Sequence, residues 1–308
     1  MAELPSTYHY SEIFYSIQGE GKYTGVPTAW LRFFLCNLQC DGFGQVNPKD
    51  PSTWELPYQD INVDDYNSME ELPVFTTGCD SSYSWAKKFR KLARIGTAKD
   101  IASKISDSMR TESNPGGHFT HPNGTHQHMC FTGGEPLMKH GQKAVPELIK
   151  EFKNQNGATH GTNCPRYITF ETNGTQSLTT EFISFFENRG MYDGELFFSI
   201  SPKLESVSGE KPEKAIKPTN LKTYRMMTKH GQLKFVMGTK KEQWDELESV
   251  VNDIRAAGID YPVYIMPVGA DVESQEEIAG DVATMALNKG YHVSARVHTY
   301  LWGNIIGV

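Results

Sequence analysis

A chain of 308 residues can bury one large core or two modest ones, and 38% hydrophobic with 22% charged residues is the make-up of a soluble globular protein. A formal charge of −7 argues against wholesale nucleic-acid binding through a basic surface, although local charge can still hold a small anion. No apolar run approaches the ~20 residues of a membrane helix. Met1-Ala2-Glu3-Leu4-Pro5 lacks the basic-then-apolar order of a signal peptide. A cytoplasmic protein without membrane contact is therefore expected. In a reducing compartment its five cysteines are ligands or bystanders rather than disulfides.

Residues 11–35 read as a strand, a Gly-rich turn and a second strand. The second, Ala29-Trp30-Leu31-Arg32-Phe33-Phe34-Leu35, is apolar and aromatic around one arginine. An unpaired charge in a buried strand is costly. Arg32 therefore either pairs with a carboxylate at the rim or points into a pocket, where its planar fork suits a carboxylate substrate. Cys36-Asn37-Leu38-Gln39-Cys40 follows. Two thiolates with three residues between them can grip one soft metal centre from a single loop, with a third ligand from elsewhere.

Gly44 to Thr77 is rich in Pro, Asp, Glu and Asn, with Lys49 as its lone basic residue. It keeps neither helical nor strand period, and reads as an irregular acidic insertion at about 41–78. Gly78-Cys79-Asp80-Ser81 then offers the third thiolate. The competing readings are an ordinary buried thiol for Cys79 and a helix cap for Ser81. The basic run Lys87 to Arg94 reads as a solvated helix face. Thr97 to Met109 is an amphipathic helix with Ile101, Ile105 and Met109 on one side. The four histidines between His118 and His128 fit no zinc-finger spacing, and Pro122-Asn123-Gly124 is a turn.

Met129-Cys130-Phe131 reads as a core strand running into Thr132-Gly133-Gly134-Glu135-Pro136. Two glycines after a strand allow close backbone approach to a ligand, and a carboxylate there can receive an ammonium group. The plain alternative is a tight turn. Beyond it, helices at Val145–Asn154, Thr179–Asn188, Glu242–Ala257 and about Ser274–Lys289 alternate with strands at Tyr167–Phe170, Leu196–Ile200, Leu233–Met237, Val263–Ile265 and His292–Arg296. Ser274 and Glu277 have capping-box spacing. Glu205 to Lys229 reads as a loop outside the core. Tyr300, Leu301 and Trp302 read as packing residues, and Cys130 and Cys164 carry no assigned chemistry. Such alternation implies an α/β fold with a parallel sheet, in one domain over 1–308. Polar motifs recur at the C-terminal ends of the strands, where (β/α) folds gather ligands, and this points to one active site.

Taken in order, Glu12 to Gly21, the cysteine loop, Thr132 to Pro136, Glu171-Thr172-Asn173-Gly174, Ser201-Pro202-Lys203 and Arg296 to Gly303 resemble a radical S-adenosylmethionine family, the 7-carboxy-7-deazaguanine synthases. The likeness runs from about residue 11 to Val308. It departs at position 43, a Phe where common members carry the third cysteine, and at Ser81, where they carry Thr.

The resemblance implies a partial, open (β/α) barrel of the radical SAM type. It implies a [4Fe–4S] cluster on Cys36, Cys40 and Cys79, S-adenosyl-L-methionine on the open iron, and Mg²⁺ at Ser81. The implied substrate is 6-carboxy-5,6,7,8-tetrahydropterin, held by Ile17, Gln18, Gly19, Arg32, Thr132 and the Val308 terminus. Arg32 and Glu20 are its implied catalytic residues. Gly134, Glu135, Asn173, Ser201, Pro202, Lys203 and Met266-Pro267-Val268-Gly269 are its implied cofactor contacts. An electron donor such as flavodoxin and a second copy of the chain are the implied partners. A glycyl-radical activase would share the cysteines and the Gly-Gly-Glu-Pro turn, but should lack Gln18-Gly19-Glu20-Gly21 and the Arg-x-His tail. A non-catalytic zinc-stabilised binding protein would leave the strand-end motifs unexplained.

Overall fold

A computed structural model describes residues 5–154, 163–270, 272–303 and 305–307. β1 (Thr7–Ile17) and β2 (Pro27–Phe33) form an antiparallel hairpin around a 3₁₀ turn at Gly21–Tyr23. The single turn α1 (Pro57–Asp60) lies in the insertion. β3 (Arg94–Thr97) is an antiparallel edge on β1 and leads into α2 (Ala98–Ser108). From β2 onward the strands run parallel. β4 (His128–Gly133), α3 (Lys139–Asn154), β5 (Tyr167–Thr172), α4 (Thr180–Glu187) and β6 (Glu195–Ile200) alternate. Three short helices follow: α5 (Glu205–Ser208), α6 (Pro212–Ala215) and α7 (Pro218–Met227). β7 (Gly231–Met237), α8 (Lys241–Ala256), β8 (Val263–Pro267), α9 (Val272–Asn288), β9 (His292–Val293) and α10 (Val297–Trp302) complete the chain. The sheet order is β3-β1-β2-β4-β5-β6-β7-β8-β9, an open, partial (β/α) barrel.

Alternation along the strands separates two faces, since successive side chains point to opposite sides. Leu31, Phe33, Met129, Phe131, Ile168, Phe170, Phe198, Leu233, Phe235 and Ile265 join the helices in the main core. Their neighbours Trp30, Arg32, Thr132, Glu171, Lys234, Val236 and Met266 line a cavity on the other face. Helix α2 starts on a full capping box between Thr97 and Asp100. Helix α8 buries Trp244, Leu247, Val250, Val251 and Ile254, the stripe its period predicts.

Several expectations are corrected. Residues 205–229 are not a loop outside the core: they form α5, α6 and α7, and Leu221 and Tyr224 are buried. Pro212 and Pro218 open two of these helices, where a missing N–H is harmless, so prolines that read as breakers are starts. α3 begins six residues before Val145, with Pro146 inside it. α9 begins at Val272, so Ser274 stands in its first turn rather than at its cap. The final strand is two residues long, and α10 follows where packing residues were expected. Tyr300 is 75% exposed, with Leu301 and Trp302 exposed beside it.

The insertion is irregular, as expected, but it has a core of its own. Tyr58, Val63, Met69, Leu72 and Phe75 pack with Phe34, Tyr83, Trp85 and Phe89. These residues sit on the α1 turn, 3₁₀ segments and irregular chain, so no period advertises them. The basic run is a 3₁₀ helix, Lys87–Leu92, that fastens this insert to the sheet. Lys91 pairs with Asp64, Arg94 with Glu70 at 2.7 Å, and Lys88 Nζ donates to the Gln59 carbonyl at 2.6 Å. No helix among the described residues is long and apolar enough to cross a membrane.

Candidate active site

The cavity lies at the C-terminal ends of the parallel strands and encloses about 310 Å³. Cys36, Cys40 and Cys79 all line it, although 38 residues separate the last two in sequence. Phe43 also lines it, and the Phe43 carbonyl accepts the Gly78 N–H at 2.8 Å. The insertion thus leaves and returns at one point, where Phe43 meets Gly78. Leu35 (φ 96°) and Cys40 (φ 57°) hold left-handed conformations rare for such residues, as strained backbone at functional sites often does.

The paired glycines after β4 have specific duties. Gly133 has φ 148°, and a Cβ on Gly134 would lie 2.3 Å from the Leu35 carbonyl oxygen. The turn is glycine because it packs on the cysteine loop. Glu135 does not face the cavity, contrary to the role read from the sequence. It is fully buried and accepts from Thr172 Oγ1 at 2.7 Å and from the Leu137 and Asn173 N–H groups at 2.9 and 2.7 Å. Burial raises its pKa to about 7 despite those bonds. It braces the turn, and only backbone there is left to meet a ligand.

Gly134, Asn173, Ser201, Lys203 and residues 266–269 line the cavity, whereas Pro202 does not. Asn173 Nδ2 donates to Asn37 Oδ1 at 3.1 Å and approaches Cys36 Sγ at 3.8 Å, so the β5 end is bonded to the cysteine loop. Lys203 Nζ donates to Ser201 Oγ at 2.8 Å. Ser81 Oγ sits 3.5 Å from Cys79 Sγ and makes no capping bond, which removes the helix-cap reading.

Burial pushes all three thiols up, Cys36 to about 12. A thiol costly to ionise alone is deprotonated outright by a coordinating metal. Among the described residues no three His, Cys, Asp or Glu side chains gather as ligands of a single metal ion. Cys36 and Cys79 pack against Cys40 at the cavity wall, and three thiolates are a donor set that iron–sulfur clusters use. The donor set, the strained loop and the glycine turn packed on it therefore fit a cubane.

The far side of the cavity is charged. A bulge between Tyr10 and Glu12 shifts the β1 register, so Tyr8 and Tyr10 enter the core while Glu12 and Phe14 line the cavity. Glu12 then stands opposite Arg32 and pairs with its Nε. Tyr83 Oη also donates to Glu12, at 2.9 Å. Arg32 is thus paired to a carboxylate and also lines the cavity.

Lys234 on β7 is buried between two carboxylates, Glu20 and Glu171, the latter at 2.9 Å. Gln18 closes the ring, donating to Glu171 at 3.0 Å and accepting from the Glu20 N–H at 3.1 Å. Arg296 lies 3.2 Å from Glu20 and 3.0 Å from Asp80. Burial opposes the charge on Glu20, but Lys234, Arg296 and His298 outweigh it and hold the carboxyl well below its usual range. A Cβ on Gly19 would collide with the His298 ring, at 1.8 Å.

The structure thus brings together Gln18, Gly19, Glu20, Arg32, Thr132 and the three cysteines. Ile17 does not line the cavity, and Val308 lies outside the described residues. Sequence reasoning assigned no role to Glu12, Asp80, Glu171, Lys234 or His298. For Lys234 the signal was present: a lysine inside an apolar strand is the same anomaly that singled out Arg32.

No family model matches the chain. It is 24% identical to the 7-carboxy-7-deazaguanine synthase of Halobacterium salinarum, over 96% of this chain and 90% of the relative. The protein of that name from Pyrobaculum aerophilum is 22% identical, over 96% and 95%. That of Leptospira interrogans is 22% identical over 100% of both. A crystal structure of QueE from Escherichia coli aligns over 95% of each chain, with a TM-score of 0.49 and 15% identity. The likeness to these synthases thus spans nearly the whole chain.

Proposed function

We infer that this chain is a 7-carboxy-7-deazaguanine synthase, a radical S-adenosylmethionine lyase that converts 6-carboxy-5,6,7,8-tetrahydropterin to 7-carboxy-7-deazaguanine with loss of ammonia, in 7-deazapurine biosynthesis of the preQ0 and queuosine type. One observation carries this reading: three thiols and a buried charged ring share a single cavity at the strand ends.

Cys36, Cys40 and Cys79 would hold the [4Fe–4S] cluster. Gly134, Asn173, Ser201, Lys203 and residues 266–269 would hold S-adenosyl-L-methionine, with the Lys203 ammonium available to its carboxylate. When bound, cluster and cofactor supply one-electron cleavage of a sulfonium, and so a carbon radical able to take a hydrogen atom from the substrate. The protein supplies position and a dry site. Arg32, steadied by Glu12, offers the rest of its fork to the substrate carboxylate. Glu20 and Glu171 accept from the N–H groups of the pterin edge, beside Gln18 and Gly19. Lys234 keeps these two carboxylates from repelling each other. Ser81 offers a hard oxygen to Mg²⁺, an ion that favours such ligands and keeps waters. A flavodoxin-like electron donor, a homodimer and a cytoplasmic location complete the reading.

The activase alternative is disfavoured because Gln18, Gly19, Arg296 and His298 are built into the cavity wall. The zinc alternative offers no use for the Lys234 ring.

The test is anaerobic reconstitution with iron and sulfide, then reductant, S-adenosyl-L-methionine, Mg²⁺ and 6-carboxytetrahydropterin. Mass spectrometry should find 7-carboxy-7-deazaguanine. Formation of 5′-deoxyadenosine alone would keep the radical machinery and reject the substrate. Zinc without iron or sulfide would reject both.

A further inference from the structure

The cysteine loop makes backbone bonds that neither the thiols nor the strand ends require. The N–H groups of Gln39 and Cys40 both donate to one oxygen of Glu210, at 2.5 and 2.9 Å. Glu210 lies between α5 and α6 and is 7% exposed. Its second oxygen takes Lys214 Nζ at 3.0 Å. The same connection touches the loop again: Gly42 N–H donates to the Ser208 carbonyl at 3.0 Å. A Cβ on Gly42 would lie 2.6 Å from the Gly209 nitrogen. Cys40 keeps its left-handed conformation within this clamp, as a non-glycine residue does only when its surroundings fix it.

Hydrogen bonds to cluster sulfur and local charge both set the potential of an iron–sulfur centre. Here two N–H groups of the ligand loop are turned to a carboxylate instead.

We propose that Glu210 is the positioning residue of the cysteine loop, fixing the backbone that aims Cys40, and that by diverting these N–H groups and adding negative charge it lowers the reduction potential of the cluster held there. The positioning half concerns the chain alone. The electrostatic half rests on the cluster reading above.

The positioning half is tested by amide hydrogen exchange on the full chain without cluster. A hydrogen bond to a charged group is worth about 1.5–3 kcal/mol, so the Gln39 and Cys40 amides should exchange roughly tenfold or more faster in Glu210→Ala. The increase should be smaller in Glu210→Gln, whose amide oxygen still accepts; that variant carries the test if Glu210→Ala does not fold. The electrostatic half is tested by redox titration after reconstitution with iron and sulfide. The midpoint should rise in Glu210→Gln and fall in Lys214→Met, a pair of opposite shifts that a merely structural brace would not produce. Unchanged exchange in both Glu210 variants overturns the positioning role. Midpoints that stay put or move together overturn the electrostatic one. Wild-type chain that binds no iron, with the exchange difference intact, overturns the cluster reading and the electrostatic half with it, and leaves the clamp standing.

Discussion

Lys234 is the side chain on which the charged half of the cavity depends. It is the only cation bonded to both Glu20 and Glu171 among the described residues. Removing one partner of a buried ion pair costs about 3–5 kcal/mol. Lys234→Met should therefore lower the thermal midpoint and abolish substrate turnover, and adding Glu171→Gln should recover part of the stability but not the turnover. Calorimetry with single-turnover assays would check both. The thiols give a cleaner contrast. Cys79→Ala should lose the cluster, while Cys164→Ala should keep full iron content. Equal loss in the two variants would overturn the ligand assignment.

His128 gives the pH term. It is 7% exposed, stacked on Tyr167 and edge-on to Tyr23. Burial lowers its pKa from 6.5 to about 4. The unfolded chain therefore binds a proton between those values that the native chain refuses. Stability present above pH 6.5 is lost as pH falls toward 4, by up to about 3 kcal/mol. His128→Phe keeps the stack and removes the proton, so its thermal midpoint should fall less between pH 7 and pH 5. Equal slopes in the two proteins would locate the acid sensitivity elsewhere.

Among the elements, the insertion shows how turns can build a wall. Pro73, Val74 and Thr76 line the cavity, and so do Ile305, Ile306 and Gly307 near the other end of the chain. Ile306 packs against the insertion's own core. Phe75→Ala should empty part of that core, at about 3–5 kcal/mol locally. Exchange should then quicken in residues 44–77 and, through Ile306, in 305–307, while the strands stay protected. The helices and strands of the main core were legible because each has its own period, as in Trp244, Leu247 and Val251 of α8. The insertion core was not, because Tyr58, Met69 and Phe75 sit on a single helical turn, a 3₁₀ segment and irregular chain, with no shared spacing. α6 and α7 were hidden by prolines at their starts, and β3 by the basic run that leads into it. At the site, the motifs located the cysteines and strand ends. Glu135 was misread because its motif says where the backbone goes, not where the carboxylate points.

For the whole molecule, Gly307 brings the segment after α10 to the wall of the cavity. A tag appended after Val308 should raise the Michaelis constant for the pterin and leave iron content unchanged. Unaltered kinetics would remove the terminus from substrate binding. The α10 surface, with Tyr300, Leu301 and Trp302 exposed, should become shielded if a second copy of the chain docks there. Solvent labelling of Trp302 across a dilution series would read that directly.

The two faces of the sheet have a consequence for variation. Along β2, β4 and β7, residues packed in the core alternate with residues that line the cavity: Leu31 beside Arg32, Phe131 beside Thr132, Phe235 beside Lys234. A comprehensive substitution library should therefore show two interleaved combs of intolerance. Selection for expression would pick out one comb and selection for product the other, offset by a single position, with Lys234 in both because its loss strands two buried carboxylates. Away from Lys234 and its partners the two requirements can drift separately, so new specificities are open at Trp30 and Val236 without disturbing the residues that keep the strands in place.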